Sequence, residues 1–182
     1  MEQIEYLEDL CATLPRPWAV VGNGATHLKV GHIIDSFPVV VRFNEYVIEG
    51  YEEYVGTKTT LRCVAWVSST PRPAPLISPF IPKPMTEVWS TCEQSKNAGV
   101  IIIRPKKGTG KTGLLPTSGY ALLKLLNREK VETTIFHMDG LKSGHYWDEN
   151  HVHWNRHKGT YEWSEIQKMQ YIEIYEHSFE RI

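Results

Sequence analysis

The sequence predicts one α/β domain built on buried, parallel strands. Three observations predict it. The apolar run Trp18 to Val21 stops abruptly at Gly22-Asn23-Gly24. A second apolar run, Val39 to Val41, ends in Arg42-Phe43-Asn44. Short continuous apolar runs are the mark of strands covered on both faces, as in parallel sheets. Third, the 182 residues suit a single domain, 1–182, with a real core, and 41% hydrophobic with 23% charged residues is an ordinary globular balance.

The elements follow in order. Glu2 to Leu14 reads as a helix stopped by Pro15 and Pro17. Trp18–Val21 and Val39–Phe43 are strands, Tyr51–Val55 a helical turn, and Leu61–Val67 a third strand. Six prolines between Pro71 and Pro84 predict an extended surface loop or a lid. Glu87–Cys92 and Val100–Arg104 read as further strands, and Lys106 to Gly113 as a basic, glycine-rich loop. Thr117 or Ser118 caps a helix running through Leu126. Thr133–Met138 is a strand. Apolar residues at Trp163, Ile166, Met169, Ile172 and Ile174 predict a C-terminal helix over Tyr161 to Glu180.

Composition excludes several function classes. A net charge of −1 offers no bulk attraction for nucleic acid or an acidic membrane. No apolar run approaches the ~20 residues that span a bilayer, and the acidic N-terminus lacks the features of a secretory signal. Cys11, Cys63 and Cys92 lie far apart, which predicts reduced thiols and a cytoplasmic setting.

Candidate site residues cluster at strand ends and one helix start. Ligands of open α/β sheets sit beyond the carboxyl ends of the strands, so Asn23 and Asn44 are placed to read one small molecule. Gly22-Asn23-Gly24 is only part of a dinucleotide fingerprint, because His27 stands where the third glycine belongs; a tight turn needing positive φ explains it equally. Pro116-Thr117-Ser118-Gly119 opens a helix, whose free N–H groups suit a phosphate, although a plain N-cap uses the same residues. Gly108 to Thr112 resembles the tail of a nucleotide-binding P-loop, but Pro105 occupies the position of its first glycine. His145, His151, His153 and His157 lack the HExxH arrangement of a zinc site; proton transfer is the commoner role for such histidines.

Four separated motifs then line up with one family. The chain resembles the animal-type sialyltransferases. The long motif is AVVGN…IDS…VVVRFN…VGTKTTLR over Ala19 to Arg62, and the short one PTSGYALLKLL over Pro116 to Leu126. The third is His145-Tyr146-Trp147-Asp148, and the very short one pairs His157 with Glu162. The resemblance implies a variant GT-A fold, with a Rossmann-like sheet and helices on both faces. It implies a CMP-activated 2-keto sugar acid, usually CMP-sialic acid, as donor and a glycan or glycolipid as acceptor. By residue match, Asn23 and Asn44, with Gly22, contact the nucleotide and its phosphate. Thr117, Ser118 and Gly119 hold the cytidine monophosphate, and His145 stabilises the departing phosphate with Tyr146 beside it. His157 is the general base. No cofactor is implied, because the CMP-sugar is a substrate. Two departures stand out: Trp18 replaces the cysteine usual before AVVGN, and no cysteine lies between Pro116 and Asp139. A reducing compartment accounts for both.

The chemistry agrees with the resemblance. Diphosphate-sugar enzymes of similar fold commonly hold a metal through an Asp-x-Asp pair, and the four aspartates here, Asp9, Asp35, Asp139 and Asp148, form none. Metal-free, inverting transfer is the consistent expectation. The alternatives are a CMP-Kdo transferase, an inactive nucleotide- or glycan-binding module, and an unrelated nucleotide hydrolase built on residues 108–112.

Overall fold

Among the described residues, seven short strands lie side by side in one sheet, every neighbouring pair parallel. They are β1 (Trp18–Val21), β2 (Val39–Phe43), β3 (Leu61–Cys63), β4 (Leu76–Ile77), β5 (Ile102–Ile103), β6 (Thr133–Phe136) and β7 (Ile172–Ile174). Their order is β5-β4-β3-β2-β1-β6-β7. The helices are α1 (Leu7–Thr13), α2 (Gly31–Ser36), α3 (Glu52–Val55), α4 (Ser118–Arg128) and α5 (Arg156–Ile166). This is a computed structural model, and it describes residues 6–64, 74–78, 102–103, 106, 116–140, 144–148, 150 and 156–175.

From β1 the chain winds outward through β2 to β5, then returns to lay β6 on the other side of β1. That reversal opens a crevice at the carboxyl ends of β1 and β6, where doubly wound folds bind ligands. Apolar strand residues alternate between two cores. Trp18, Val20, Val39, Val41 and Ile135 face α1, α4 and α5. Ala19, Val21, Val40 and Phe136 face Val30 and Ile34, at the start and within α2. Helices on both faces are thus as expected.

α4 shows how local sequence makes an element. Thr117 caps it by accepting from the Tyr120 N–H at 3.3 Å. Ala121, Leu122, Leu123, Leu125 and Leu126 form its buried face, with Lys124 left outside. Lys130, at φ 55°, turns the chain out of the helix.

The motif IDS…VGTKT is explained by α2 and α3. The Asp35 carboxylate, at the end of α2, accepts from the Thr57 and Lys58 N–H groups at 2.9 Å and from the Thr57 hydroxyl at 2.9 Å. Burial pushes this carboxyl up, but the hydrogen bonds from Lys58 and Thr57 outweigh it and hold it below the usual carboxylate range.

Two expectations need correction. The C-terminal helix ends at Ile166, and Ile172–Ile174 is a strand rather than helix. The open edge of β6 explains this: Thr133 N–H donates to Tyr171 O, and Tyr175 N–H to Ile135 O, both at 3.0 Å. The β-branched Ile-Glu-Ile alternation suits that edge, so tertiary pairing overrides the helical spacing. Within the proline-rich stretch, Leu76–Ile77 is a strand, not loop or lid, and Ile77 is fully buried. Pro75 directly precedes it, and its carbonyl still accepts from Arg62 N–H at 2.9 Å. β3 ends at Cys63, and residues 65–67 lie outside the described residues, as do Glu2, the strand expected over Glu87–Cys92 and most of the basic loop.

Gly31 lets α2 and α3 touch through their backbones. A Cβ there would lie 2.0 Å from Glu52 O and 2.8 Å from Gly56 N. Gly31→Ala will therefore lower the unfolding free energy by about 1–3 kcal/mol, the usual cost of overpacking. Urea unfolding of the two proteins checks this, with an unchanged midpoint as the contrary result.

Candidate functional site

A cleft of about 410 Å³ opens at the carboxyl ends of β1, β2 and β6. Its floor is the meeting of two loops. Gly22 N–H donates to Phe136 O at 2.8 Å and Gly24 N–H to His137 O at 2.9 Å. A Cβ on Gly22 would lie 2.4 Å from His137 O, and one on Gly24 2.8 Å from the same oxygen. Neither glycine is among the described residues with positive φ. The turn reading of this motif therefore gives way to another: the glycines are there for close backbone approach.

Asn23 and Asn44 both line the cleft, as their strand-end positions predict. The Asn23 Nδ2 donates to Phe43 O at 3.3 Å and Glu45 O at 3.0 Å. Both N–H bonds are thus spent holding the turn after β2, and Oδ1 is the atom left to face a ligand. Asn44 sits at φ 44°, a left-handed conformation that asparagine tolerates. Its N–H donates to Cys63 O at 2.8 Å, and its carbonyl accepts from Arg62 Nε at 2.7 Å. Arg62 is buried, and it also reaches Glu45 at 2.8 Å, so one guanidinium braces the whole rim.

The opposite wall is the start of α4. Thr117, Ser118, Gly119 and Tyr120 line the cleft. Thr117 N–H is taken by Glu162 at 2.9 Å, and the Tyr120 N–H by the Thr117 hydroxyl. The Ser118 and Gly119 N–H groups have no partner among the described residues. They are the orphan donors that every helix start leaves, aimed at an open cavity. The Gly119 Cα lies against Met138, whose Cε would be 2.8 Å from an added Cβ.

His145 closes one side. Its loop folds back on itself, with His145 N–H to Asp148 O and Asp148 N–H to His145 O, both at 3.0 Å. The loop docks on the first wall through Tyr146 N–H to Asn23 O at 3.0 Å and an antiparallel pairing of His145 with Gly24. The imidazole stacks on Trp147 with ring centres 4.5 Å apart. Tyr146 is buried behind the wall and is not one of the lining residues. Its hydroxyl donates to Val47 O and accepts from Val47 N–H at 3.2 Å, which ties residues 145–148 to the loop after β2.

The structure thus brings Gly22, Asn23, Asn44, Thr117, Ser118, Gly119 and His145 into one cavity. His157 lies in the first turn of α5, and its side chain is outside the described set, as are His151 and His153. The same helix lines the cleft with Glu162, Trp163 and Ile166.

Other lining residues were not singled out from sequence. His137 follows β6 as Asn23 follows β1, so the strand-end rule alone would have found it. It has φ 52°, and its Nε2 lies 2.9 Å from Tyr54 O. Burial lowers its pKa; the bond to Tyr54 opposes this and nearby Arg42 adds to it, so the ring is neutral at neutral pH. Glu45 adjoins Asn44, and its charge is matched by Arg62.

Comparison with known proteins fits this geometry. A family model described as Glycosyltransferase family 29 (sialyltransferase) matches residues 13–95, which hold β1 to β4 and both asparagines. The lactosylceramide alpha-2,3-sialyltransferase of Mus musculus is 43% identical over 60 residues, 32% of this chain and 14% of that protein. The CMP-N-acetylneuraminate-beta-1,4-galactoside alpha-2,3-sialyltransferase of Homo sapiens is 44% identical over 45 residues, 24% of this chain and 12% of that protein. The aligned stretch is thus a small part of these relatives' length. A crystal structure of a mammalian sialyltransferase in complex with Gal-beta-1-3GalNAc-ortho-nitrophenol superposes with a TM-score of 0.62 at 21% identity, covering 88% of this chain and 69% of that one. The chain is similar to animal-type sialyltransferases, a family of glycosyltransferases, and has their Rossmann-like, GT-A-type fold.

The Tyr146–Val47 tie is testable without substrate. Tyr146→Phe leaves two backbone groups of Val47 without their partner, and will lower stability by about 1–3 kcal/mol in urea unfolding. A variant as stable as the parent would show that the tie contributes nothing.

Proposed function

We propose that this chain is an inverting glycosyltransferase that moves a sialic acid, or a related 2-keto sugar acid, from a CMP-sugar to a hydroxyl of a glycan or glycolipid. One observation carries the reading. Residues from three distant motifs, Asn23 and Asn44, Ser118 and Gly119, and His145, meet in one cleft at the strand ends.

Each lining group has a chemical task in such a transfer. The Ser118 and Gly119 N–H groups at the positive end of α4 suit the phosphate of CMP. Asn23 presents an acceptor, Oδ1, which repels phosphate oxygens. Its partner is therefore a hydroxyl or amino group of the nucleoside, a narrower role than the phosphate contact the resemblance implied.

The reaction balances without a further reagent. His157 takes the proton of the acceptor hydroxyl, and that oxygen bonds to the anomeric carbon. The anomeric carbon–oxygen bond to phosphate breaks, and its electron pair stays on CMP. His145 and the α4 amides meet the charge growing on the phosphate oxygens. Attack opposite the leaving group inverts the anomeric centre, through a transition state with oxocarbenium character. The leaving group is a phosphate monoester, and the sequence has no Asp-x-Asp pair to hold a metal at a diphosphate. We therefore take the transfer to be metal-independent.

Calorimetry with CMP, paired with a transfer assay using CMP-sialic acid, tests the reading. His157→Ala is expected to keep CMP affinity and to lose transfer by at least about 100-fold, as removal of a general base does. Transfer near the parent rate would remove His157 from the mechanism, and absence of CMP binding to the parent would end the proposal. Exhaustive chelation with EDTA is expected to leave the rate unchanged; a rate restored only by added divalent ion would replace the metal-free mechanism.

A further inference from the structure

We propose that Glu162 is a positioning residue that locks the histidine-bearing helix α5 to the phosphate-facing start of α4. The inference rests on the transferase reading above and adds a residue to it.

The geometry is that of a capping box split between two helices. In a local capping box, the N-cap Thr or Ser accepts from the N–H three residues on. A Glu or Gln at that third position reaches back to the N-cap N–H. Here Thr117 makes the first half, accepting from Tyr120 N–H at 3.3 Å. Tyr120 is a tyrosine and returns nothing to the Thr117 N–H. Glu162, 45 positions downstream on α5, supplies the missing half: one oxygen accepts from Thr117 N–H at 2.9 Å, the other from the Thr117 hydroxyl at 2.5 Å. The hydroxyl proton is thereby committed to Glu162, which turns a lone pair toward Tyr120 N–H.

Three further observations support a positioning role. Glu162 is 6% exposed, so its carboxylate is held in place by these bonds rather than by water. Ile166, one turn on, is buried, and Trp163 packs on the same core, so α5 has one fixed face toward the cleft. The bonds consume the Thr117 N–H and leave the next two amides, Ser118 and Gly119, for an anion. The link also gives a physical reason for the spacing of His157 and Glu162. Five residues along a helix are about 7.5 Å of rise. The clamp at Glu162 therefore sets where the helix turn carrying His157 stands relative to the α4 amides.

A carboxylate is required because Thr117 offers two donors. In Glu162→Gln the single amide oxygen serves one donor, and the other faces an NH₂ group. The α4 amides belong to their own helix and persist. The expected signature is therefore a split: kcat for transfer from CMP-sialic acid falls by about 10- to 100-fold, as misplacement of a reacting group by an ångström does. CMP affinity by calorimetry changes by less than about threefold, since its amide donors remain. Thr117→Val should show the same fall in kcat, and Thr117→Ser, which keeps the hydroxyl, should recover most of that loss. Combined with Glu162→Gln, Thr117→Val should cost little beyond the larger single loss, because both remove one link. Parent-like kcat in Glu162→Gln, additive losses, or a fall in thermal midpoint with kcat intact would overturn the positioning role while leaving the transferase reading in place. A parent protein that binds no CMP would overturn both.

Discussion

The close backbone contact between the ends of β1 and β6 is the constraint on which the rest depends. Gly22 and Gly24 donate to Phe136 O and His137 O across a gap that no side chain fits. Parallel pairing of β1 with β6 brings both carboxyl ends to the same edge of the sheet. The two glycines then let the loops meet, so the lining side chains around them converge on one cavity. The 145–148 loop docks on this same junction through Asn23 O and Gly24.

Two buried arginines hold the other rim. Arg42 and Arg62 are register partners on β2 and β3, on the face opposite α4, and both are buried. Arg62 reaches Asn44 O and Glu45, while Arg42 reaches Val55 O, Lys58 O and the Thr59 hydroxyl. Burying a guanidinium is costly, and here carbonyls and a carboxylate offset that cost. The result is directional. Arginine forks fix loop backbones at set angles where apolar residues of similar volume would only fill space. Residues 44–60, with little regular structure of their own, are thereby tied to the sheet, and Asn44 and Glu45 of this stretch line the cleft.

Trp18, which takes the place of the cysteine that the sequence resemblance leads one to expect, is fully buried and pairs in register with Val39 and Thr133. Its indole N–H has no partner among the described residues, so its contribution is packing alone, reduced by an unmet donor. Cys11 and Cys63 are free and buried, and burial pushes the Cys11 thiol up to about 12 and the Cys63 thiol higher still. The packing of this core is supplied by side-chain volume on both sides of the sheet.

Local sequence determined the strands β1, β2 and β6, the cap and apolar face of α4, and the polar residues that follow the strand ends, because each is written in neighbouring residues. It also marked Asn23, Asn44, Ser118 and Gly119 as site candidates, since loops after buried strands and helix starts expose unpaired polar groups wherever they occur; His145 was marked by the family resemblance instead. Tertiary structure alone decided that Ile172–Ile174 pairs with β6 instead of extending α5, that Leu76–Ile77 enters the sheet between prolines, and that Tyr146 supports the wall from behind. It also decided that Glu162 finishes the cap of a helix 45 positions away. These depend on which edge, rim or donor is left open once the other elements have packed, and no window of neighbouring residues contains that information.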